Sequence, residues 1–448
     1  MKPLVRILFC ALLLGSAVLA GAAPTLAQNP PPATLTIPPE AQPGPAFEAE
    51  AATRAYLAQV PPAAKARSDA YFEGGYWLLL WNLLLGAGIS LLLLNLRWSA
   101  KLRQRAERIT RFRFLQTVLY WAQYLVLTYL LAFPLAVYEG FIREHQYGLA
   151  TQTFGAWMGD ESKGLLVSLL LGGPAVALLF AIVRRMKDTW WIWGAVASLG
   201  ILVFSILIGP VFLQPLFNTP KKLDNPRITT PILSLARANG IPVRDLYEID
   251  ASKQTTRMSA NVSGFAGTMR ITLNDNLVRR GSPEEIQAVM GHEMGHYVLN
   301  HIPKMIEFLL ILIVATFALL RWALARVLVR WGEAWQIGGV GDPAILPLVA
   351  LVVSLFFFAL TPVMNTYVRG QEAEADLYGL NASRQPDGFA QAAIHLAEYR
   401  KMSPTPLEET LFYDHPSGRN RILRAMQWKA ENQRLFAPAA AAPEPPKP

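Results

Sequence analysis

The sequence predicts an α-helical integral membrane protein, a multi-span helical bundle with a small α+β region inserted in it. Three observations predict this. Charged residues fill 16 % of the 448 positions and the mean hydropathy is +0.27, whereas soluble domains run near a quarter charged. Six segments are long and apolar enough to cross a bilayer, which takes about 20 residues at 1.5 Å rise. Between the fourth and fifth, over residues 217–304, the texture turns polar and mixed. The composition excludes a disordered chain and a collagen-like fibre. Cys10 is the single cysteine, so no intramolecular disulfide can form. The net charge of +9 beside 52 % hydrophobic residues fits basic loops flanking spans, not nucleic-acid binding.

Residues 1–27 read as a signal peptide or an N-terminal anchor. Lys2 and Arg6 precede apolar Ile7 to Leu19, and Ala20-Gly21-Ala22 offers small residues for cleavage, with a second cut after Ala27. Residues 28–75 form a linker and pre-membrane segment, Pro-rich and without hydrophobic period to about Pro45. The membrane region, 76–216, holds four spans: Tyr76–Leu96, Leu115–Tyr138, Leu165–Val183 and Trp190–Leu213. Two more, Phe308–Leu328 and Pro343–Tyr367, fall inside 217–436. Tyr76, Trp77, Trp190, Trp191 and Trp193 mark span ends at the lipid–water boundary. Arg321 and Arg326, the charges within a span, are placed to snorkel or to line a wet interior. Residues 437–448, Ala and Pro apart from Glu444 and Lys447, read as a disordered tail.

In the inserted region a helix is expected over Ile228–Asn239, ending at Gly240. Strands are expected at Leu246–Ile249 and Met269–Leu273, the second after a turn at Gly264–Gly267. Ser282-Pro283-Glu284-Glu285 is a helix start: Ser282 can cap, Pro283 suits the first turn, and Glu285 can bond back to the cap N–H. The helix it opens contains His292-Glu293-Met294-Gly295-His296. Histidines four apart lie about 40° apart on one face, so both imidazoles can bind one zinc. The intervening Glu293 does not ligate; it can take a proton from an attacking water and pass it to a leaving amine. A catalytic zinc takes three protein ligands. Five residues beyond His296, His301 points about 140° away from that ligand face and reads as a solvated helix-end residue. The acidic run Glu372-Ala373-Glu374-Ala375-Asp376 offers a better third ligand. On a helix Glu372 and Asp376 share a face, Glu372 to complete the metal sphere and Asp376 to orient an imidazole, while Glu374 points elsewhere.

With these motifs the chain resembles the M48 family of integral-membrane zinc metallopeptidases, closest to the CAAX prenyl protease type 1 enzymes, from about Tyr76 to Met426. The matching pieces are His292–His296, Glu372 with Asp376, and His415-Pro416 with Arg421 six residues after the His. Further matches are Ser259-Ala260-Asn261 ahead of Arg270–Asp275, Gln146-Tyr147-Gly148 with Gln152–Gly155, and Pro210–Phe217 with Pro220. The resemblance implies one Zn2+ per chain on His292, His296 and Glu372, with Glu293 as general base. It implies that Asn261 binds substrate backbone on an edge strand and that His415 and Arg421 lie near the scissile carbonyl, where both can stabilise an oxyanion. It also implies spans that enclose a chamber, a gluzincin-like M48 peptidase domain at 217–436, peptide or protein substrates, and the lipid bilayer as surroundings. A non-catalytic chaperone or scaffold, or a transporter, would not need the intact His292, Glu293, His296 and Glu372 set. Oligomeric state is not legible.

The family's CAAX-type enzymes have seven spans, and one early span is missing here: Arg97–Arg113 runs from the first span into what resembles the family's third. That loop holds seven Lys or Arg and Arg184–Lys187 three, while 139–163 holds only Arg143 and Lys163. Basic loops stay cytoplasmic, so the zinc site is expected on the outer face, the periplasm in a bacterium. A signal peptide predicts the same side. Exported, membrane-associated or misfolded proteins are then the expected substrates, with cytoplasmic processing of prenylated proteins as the alternative.

Overall fold

The computed structural model describes residues 35–264 and 269–436. The expected signal segment, the start of the Pro-rich stretch, most of the Gly264–Gly267 turn and the tail lie outside the described residues. After α1 (Ala49–Ala58) come α2 (Pro62–Asn95), α3 (Trp98–Ile109), α4 (Arg113–Val137, continuing through a π-turn to Gln146), α5 (Phe154–Arg185) and α6 (Trp190–Ile208). The inserted region then adds β1 (Lys221–Lys222), α7 (Pro226–Ala238), β2 (Leu246–Ile249), β3 (Ala260–Ser263), β4 (Arg270–Asn274), α8 (Asp275–Arg280) and α9 (Pro283–Val298). Last come α10 (His301–Trp335), α11 (Leu346–Ser383), α12 (Pro386–His395), α13 (Pro406–Phe412) and α14 (Gly418–Glu431).

All six expected spans are long apolar helices, α2, α4, α5, α6, α10 and α11. Arg321 and Arg326 are exposed on α10, with their guanidinium groups over the rings of Trp191 and Trp322. The basic stretch Arg97–Arg113 is not a plain loop, because α3 forms within it. Leu102 and Ala106 bury against Leu93, Tyr120 and Tyr124, while Lys101, Arg105 and Arg108 face outward.

The 34 residues of α2 extend about 50 Å and define the two ends of the bundle. At its C-terminal end Asn95 accepts from Trp335 (3.0 Å), Arg97 donates to Ala334 O (2.9 Å), Arg103 pairs with Asp342, and Arg184 reaches Gly341 O (3.4 Å). The two basic stretches, 97–113 and 184–187, therefore gather at one end. Its N-terminal turns touch the peptidase part instead, where Ser68 donates to Arg400 O (2.7 Å).

The inserted region forms a four-stranded sheet in the order β1-β2-β4-β3, with β2/β4 parallel and β3 an edge strand antiparallel to β4. Asn261 sits on that edge opposite Thr272, exposed. Leu246, Ile271 and Leu273 form the core with Ile232 and Ala236 of α7 and with Ile286, Met290 and Met294 of α9. Residues 35–60 do not behave as a linker. Ala41, Ala52 and Tyr56 join Phe389, Met426 and Trp428 in a second core, and the buried Lys429 bonds Ala41 O (2.6 Å) and Asp387 (2.5 Å).

Candidate metal centre

Helix α9 starts as its sequence dictates. Ser282 and Glu285 form a reciprocal capping box with Pro283 in the first turn. Three of its faces are used. Ile286, Met290 and Met294 enter the sheet core. Gly291 and Gly295 lie against α11. His292 and His296 project between them toward Glu372. The contact with α11 is close: a Cβ on Gly379 would lie 2.7 Å from His292 N, and one on Gly291 would lie 2.9 Å from Gly379 O. Only glycine at these positions lets two helices run near enough for Glu372, two turns before Gly379, to reach the histidines.

His292 Nε2 stands 3.2 Å from His296 Nε2 and 3.2 Å from Glu372 Oε2, and His296 Nε2 is 3.4 Å from Glu372 Oε1. Ligands about 2.0–2.1 Å from a tetrahedral ion lie about 3.3 Å from one another, so the spacing fits a small tetrahedral metal. The donor chemistry fits as well. Glu372 Oε2 is buried and accepts no hydrogen bond. His292 Nδ1 meets Asp376 Oδ1 (2.9 Å) and His296 Nδ1 meets His301 Nδ1 (2.9 Å), which leaves both Nε2 atoms for a cation.

The supporting contacts are dense. Asp376 is fully buried and is compensated by Arg421, through Nη2 (2.6 Å) and Nε (3.1 Å), by Arg424 (3.1 Å) and by His292. Arg421 also lies over the Phe389 ring. Its guanidinium faces Asp376, and its Nη2 also lies 3.4 Å from His292 Nδ1. His415 comes from the loop before α14; its Nε2 is 3.2 Å from Glu372 Oε2 and its Nδ1 2.8 Å from Asp414. Beside these groups opens a cavity of about 220 Å³, lined among others by Ser259, Leu277, Glu293, Phe389, His415 and Arg421.

Burial raises the Glu293 carboxyl to about 7. Burial also works against a charged His292, but the Asp376 and Glu372 carboxylates outweigh it and lift that imidazole to about 9. His296, desolvated and beside His292, is pushed down to about 4.

His301 is not a solvated helix-end residue. It is 3 % exposed, and its Nε2 meets Glu374 (3.1 Å), which Lys304 also pairs. The expectation assumed a continuous helix. Instead Asn300 adopts φ +58°, α9 stops, and α10 carries His301 back beneath His296. Asparagine tolerates that left-handed conformation, and this helix stop was the signal available in the sequence. Arg424 carried no such signal.

Two family models cover nearly the whole described chain: the N-terminal region of CAAX prenyl proteases, described as five membrane helices, over residues 50–219, and peptidase family M48 over 222–429. Among the described residues, four candidate spans lie in the first stretch. An uncharacterized metalloprotease, YhfN, of Bacillus subtilis is 30 % identical over 73 % of this chain and 77 % of its own. CAAX prenyl protease 1 of Saccharomyces cerevisiae is 29 % identical over 69 % and 71 %. The crystal structure of S. mikatae Ste24p shares the fold, with a TM-score of 0.69 and 23 % identity over 94 % of this chain and 97 % of that one. With consecutive models in chain order and a relative matched over most of both lengths, this chain belongs to peptidase family M48 and is a membrane metalloendopeptidase.

Proposed function

We propose that His292, His296 and Glu372 hold one Zn2+ and that Glu293 is the general base for hydrolysis of peptide bonds. The observation that carries this is the convergence of two imidazole Nε2 atoms on a buried carboxylate oxygen that accepts no hydrogen bond, with Glu293 between the two histidines on the same helix. Zinc held there supplies a Lewis acid for the scissile carbonyl and acidifies water. Glu293 takes the proton of the attacking water on its carboxylate and delivers it to the leaving amine. A carboxyl raised to about 7 suits a group that both accepts and releases a proton near neutrality. Asp376 orients His292 and is itself held by Arg421. His415 Nε2 supports the developing oxyanion. Exposed Asn261 on β3 meets an extended peptide, which can add to the free edge of the sheet.

Glu293→Ala tests the assignment: the full-length protein in detergent keeps one zinc per chain and loses turnover of β-casein about 10²–10⁴-fold. His292→Ala loses metal and turnover together. Undiminished cleavage in Glu293→Ala would overturn the mechanism.

The basic turns at the end of the bundle away from the metal support a zinc site on the outer face of the membrane. Membrane-associated, exported or misfolded proteins are then the substrates. A second reading, processing of prenylated proteins on the cytoplasmic side, is favoured by the relatives whose name is CAAX prenyl protease 1.

A further inference from the structure

A second polar cluster joins the membrane region to the segment that leads into β3. Its hub is Tyr71, in the turns of α2 ahead of the apolar stretch. The Tyr71 hydroxyl donates to Glu144 Oε1 (2.5 Å) and accepts from Arg257 Nη2 (2.8 Å), and the same guanidinium pairs with Glu144 Oε2 (2.7 Å). The buried Arg143 stacks its guanidinium 3.9 Å over the Tyr71 ring and donates to the Tyr71 carbonyl.

The backbone on either side is fastened too. Leu149 O accepts from Thr256 N (3.1 Å) and Thr255 Oγ1 (2.9 Å), and Ala150 bridges to Thr255. From there the chain is handed to the sheet: Asn274 Nδ2 donates to Arg257 O (2.7 Å) and Ser259 N donates to Asn274 Oδ1 (3.1 Å). Strand β3, only four residues long and hydrogen-bonded in the sheet to β4 alone, begins three residues after Arg257.

The same turns of α2 hold the loop that carries His415. Ser68 donates to Arg400 O (2.7 Å), Glu73 pairs with Lys401 (2.7 Å), and Phe72 packs on Tyr413 with ring centroids 4.6 Å apart. One helix therefore references both the edge strand and the His415 loop.

We propose that Glu144, Arg257 and Tyr71 form a latch that sets the position of β3, and with it Asn261, relative to His415. They are positioning residues for the substrate backbone and touch neither metal nor scissile bond. The proposal rests on the reading of β3 as the strand along which a peptide lies. A short edge strand set wrongly weakens the main-chain hydrogen bonds that give an added peptide strand its affinity, so the loss falls on substrate binding. Arg257 is one-third exposed and Glu144 less than half that, so the pair is partly screened from water and both charges have a fixed partner.

The test compares Glu144→Gln, Arg257→Gln, their double variant, Tyr71→Phe and Asn261→Ala. All are full-length, in detergent, with a quenched peptide copied from a site cleaved in β-casein. Each charge variant is expected to raise KM about five- to twentyfold with kcat within twofold and zinc content unchanged. The double variant is expected to do no more than the worse single, because the two act as one unit. Tyr71→Phe, the mildest change, shifts KM the same way by about two- to fivefold. Effects that add in the double variant, or a fall in kcat that tracks loss of zinc, would make the cluster merely structural and overturn the latch. A KM that rises in Asn261→Ala alone also overturns it while sparing the strand reading. A KM unmoved in Asn261→Ala overturns the strand reading, and the latch with it.

Discussion

At the scale of single residues the site is a competition between a proton and a cation for the same nitrogen. His292, ordinarily near 6.5, is lifted to about 9 because Asp376 and Glu372 outweigh its burial. Below that value the free imidazole carries a proton that a metal must displace. Apparent zinc affinity is therefore expected to rise about tenfold per pH unit between about pH 6 and 8. His296, pushed down to about 4, releases no second proton in that window. Chelator competition measures the slope; zero would remove His292 from the ligand set, and two would mean that His296 is not depressed. Glu293 sets a different limb. It works as a base only when ionised, so kcat/KM falls on the acid side, between its ordinary 4.5 and the raised value of about 7, the bound cation pulling it down from the upper bound. His301 holds the far nitrogen of His296. His301→Ala is expected to weaken zinc binding about 10–100-fold, read by the same competition, whereas a solvated histidine would leave affinity unchanged.

At the scale of elements, one close helix pair decides whether the ligands meet. Gly379 approaches His292 N so nearly that a methyl group there must push α9 and α11 apart. Gly379→Ala is expected to cost about 1–3 kcal/mol and to lower thermal midpoint and zinc affinity together. Gly370→Ala on the same helix, where a Cβ meets nothing within 4 Å, should change neither; equal effects would deny the contact its role. Much at this scale was legible. The capping box at Ser282 is local chemistry, β2 and β4 are short β-rich runs between turn residues, and the six spans follow from apolar length alone. What was not legible depends on partners distant in sequence. Helix α3 forms because Leu102 and Ala106 find Leu93 and Tyr120. Residues 35–60 are ordered by Lys429, Asp387 and Trp428, some 330 or more positions away. His301 was misread because one residue, Asn300, changes the direction of the chain, and helical periodicity cannot see past a left-handed turn. Glu144 and Arg257 lie 113 residues apart, and neither stands in a pattern that marks it.

At the scale of the whole molecule the open choice is which side of the membrane the metal faces, and two unrelated features bear on it. The first is charge. Seven Lys or Arg in 97–113 and three in 184–187 collect at the end of the bundle where Trp335 meets Asn95, and cytoplasmic ends are the basic ones. The second is connection. The N-terminal turns of α2 and residues 35–60 pack on the peptidase part, so whatever side receives the segment before the first described span also receives the metal. The charge supports an outside site by itself, and the connection supports one if a signal segment exports that stretch. Lys253 is exposed on the peptidase part, where it pairs with Asp250 and takes no part in the contacts of Tyr71, Glu144 and Arg257, which makes it a usable reporter. With Cys10→Ala removing the single native thiol, Lys253→Cys should react with a membrane-impermeant maleimide on intact cells, and a cysteine at Arg105 in α3 should react only after lysis. The reverse pattern would put the metal in the cytoplasm, defeat the charge reasoning, and make prenylated proteins the leading substrates. Because the two positions report opposite ends of one bundle, each serves as the other's control for leakage.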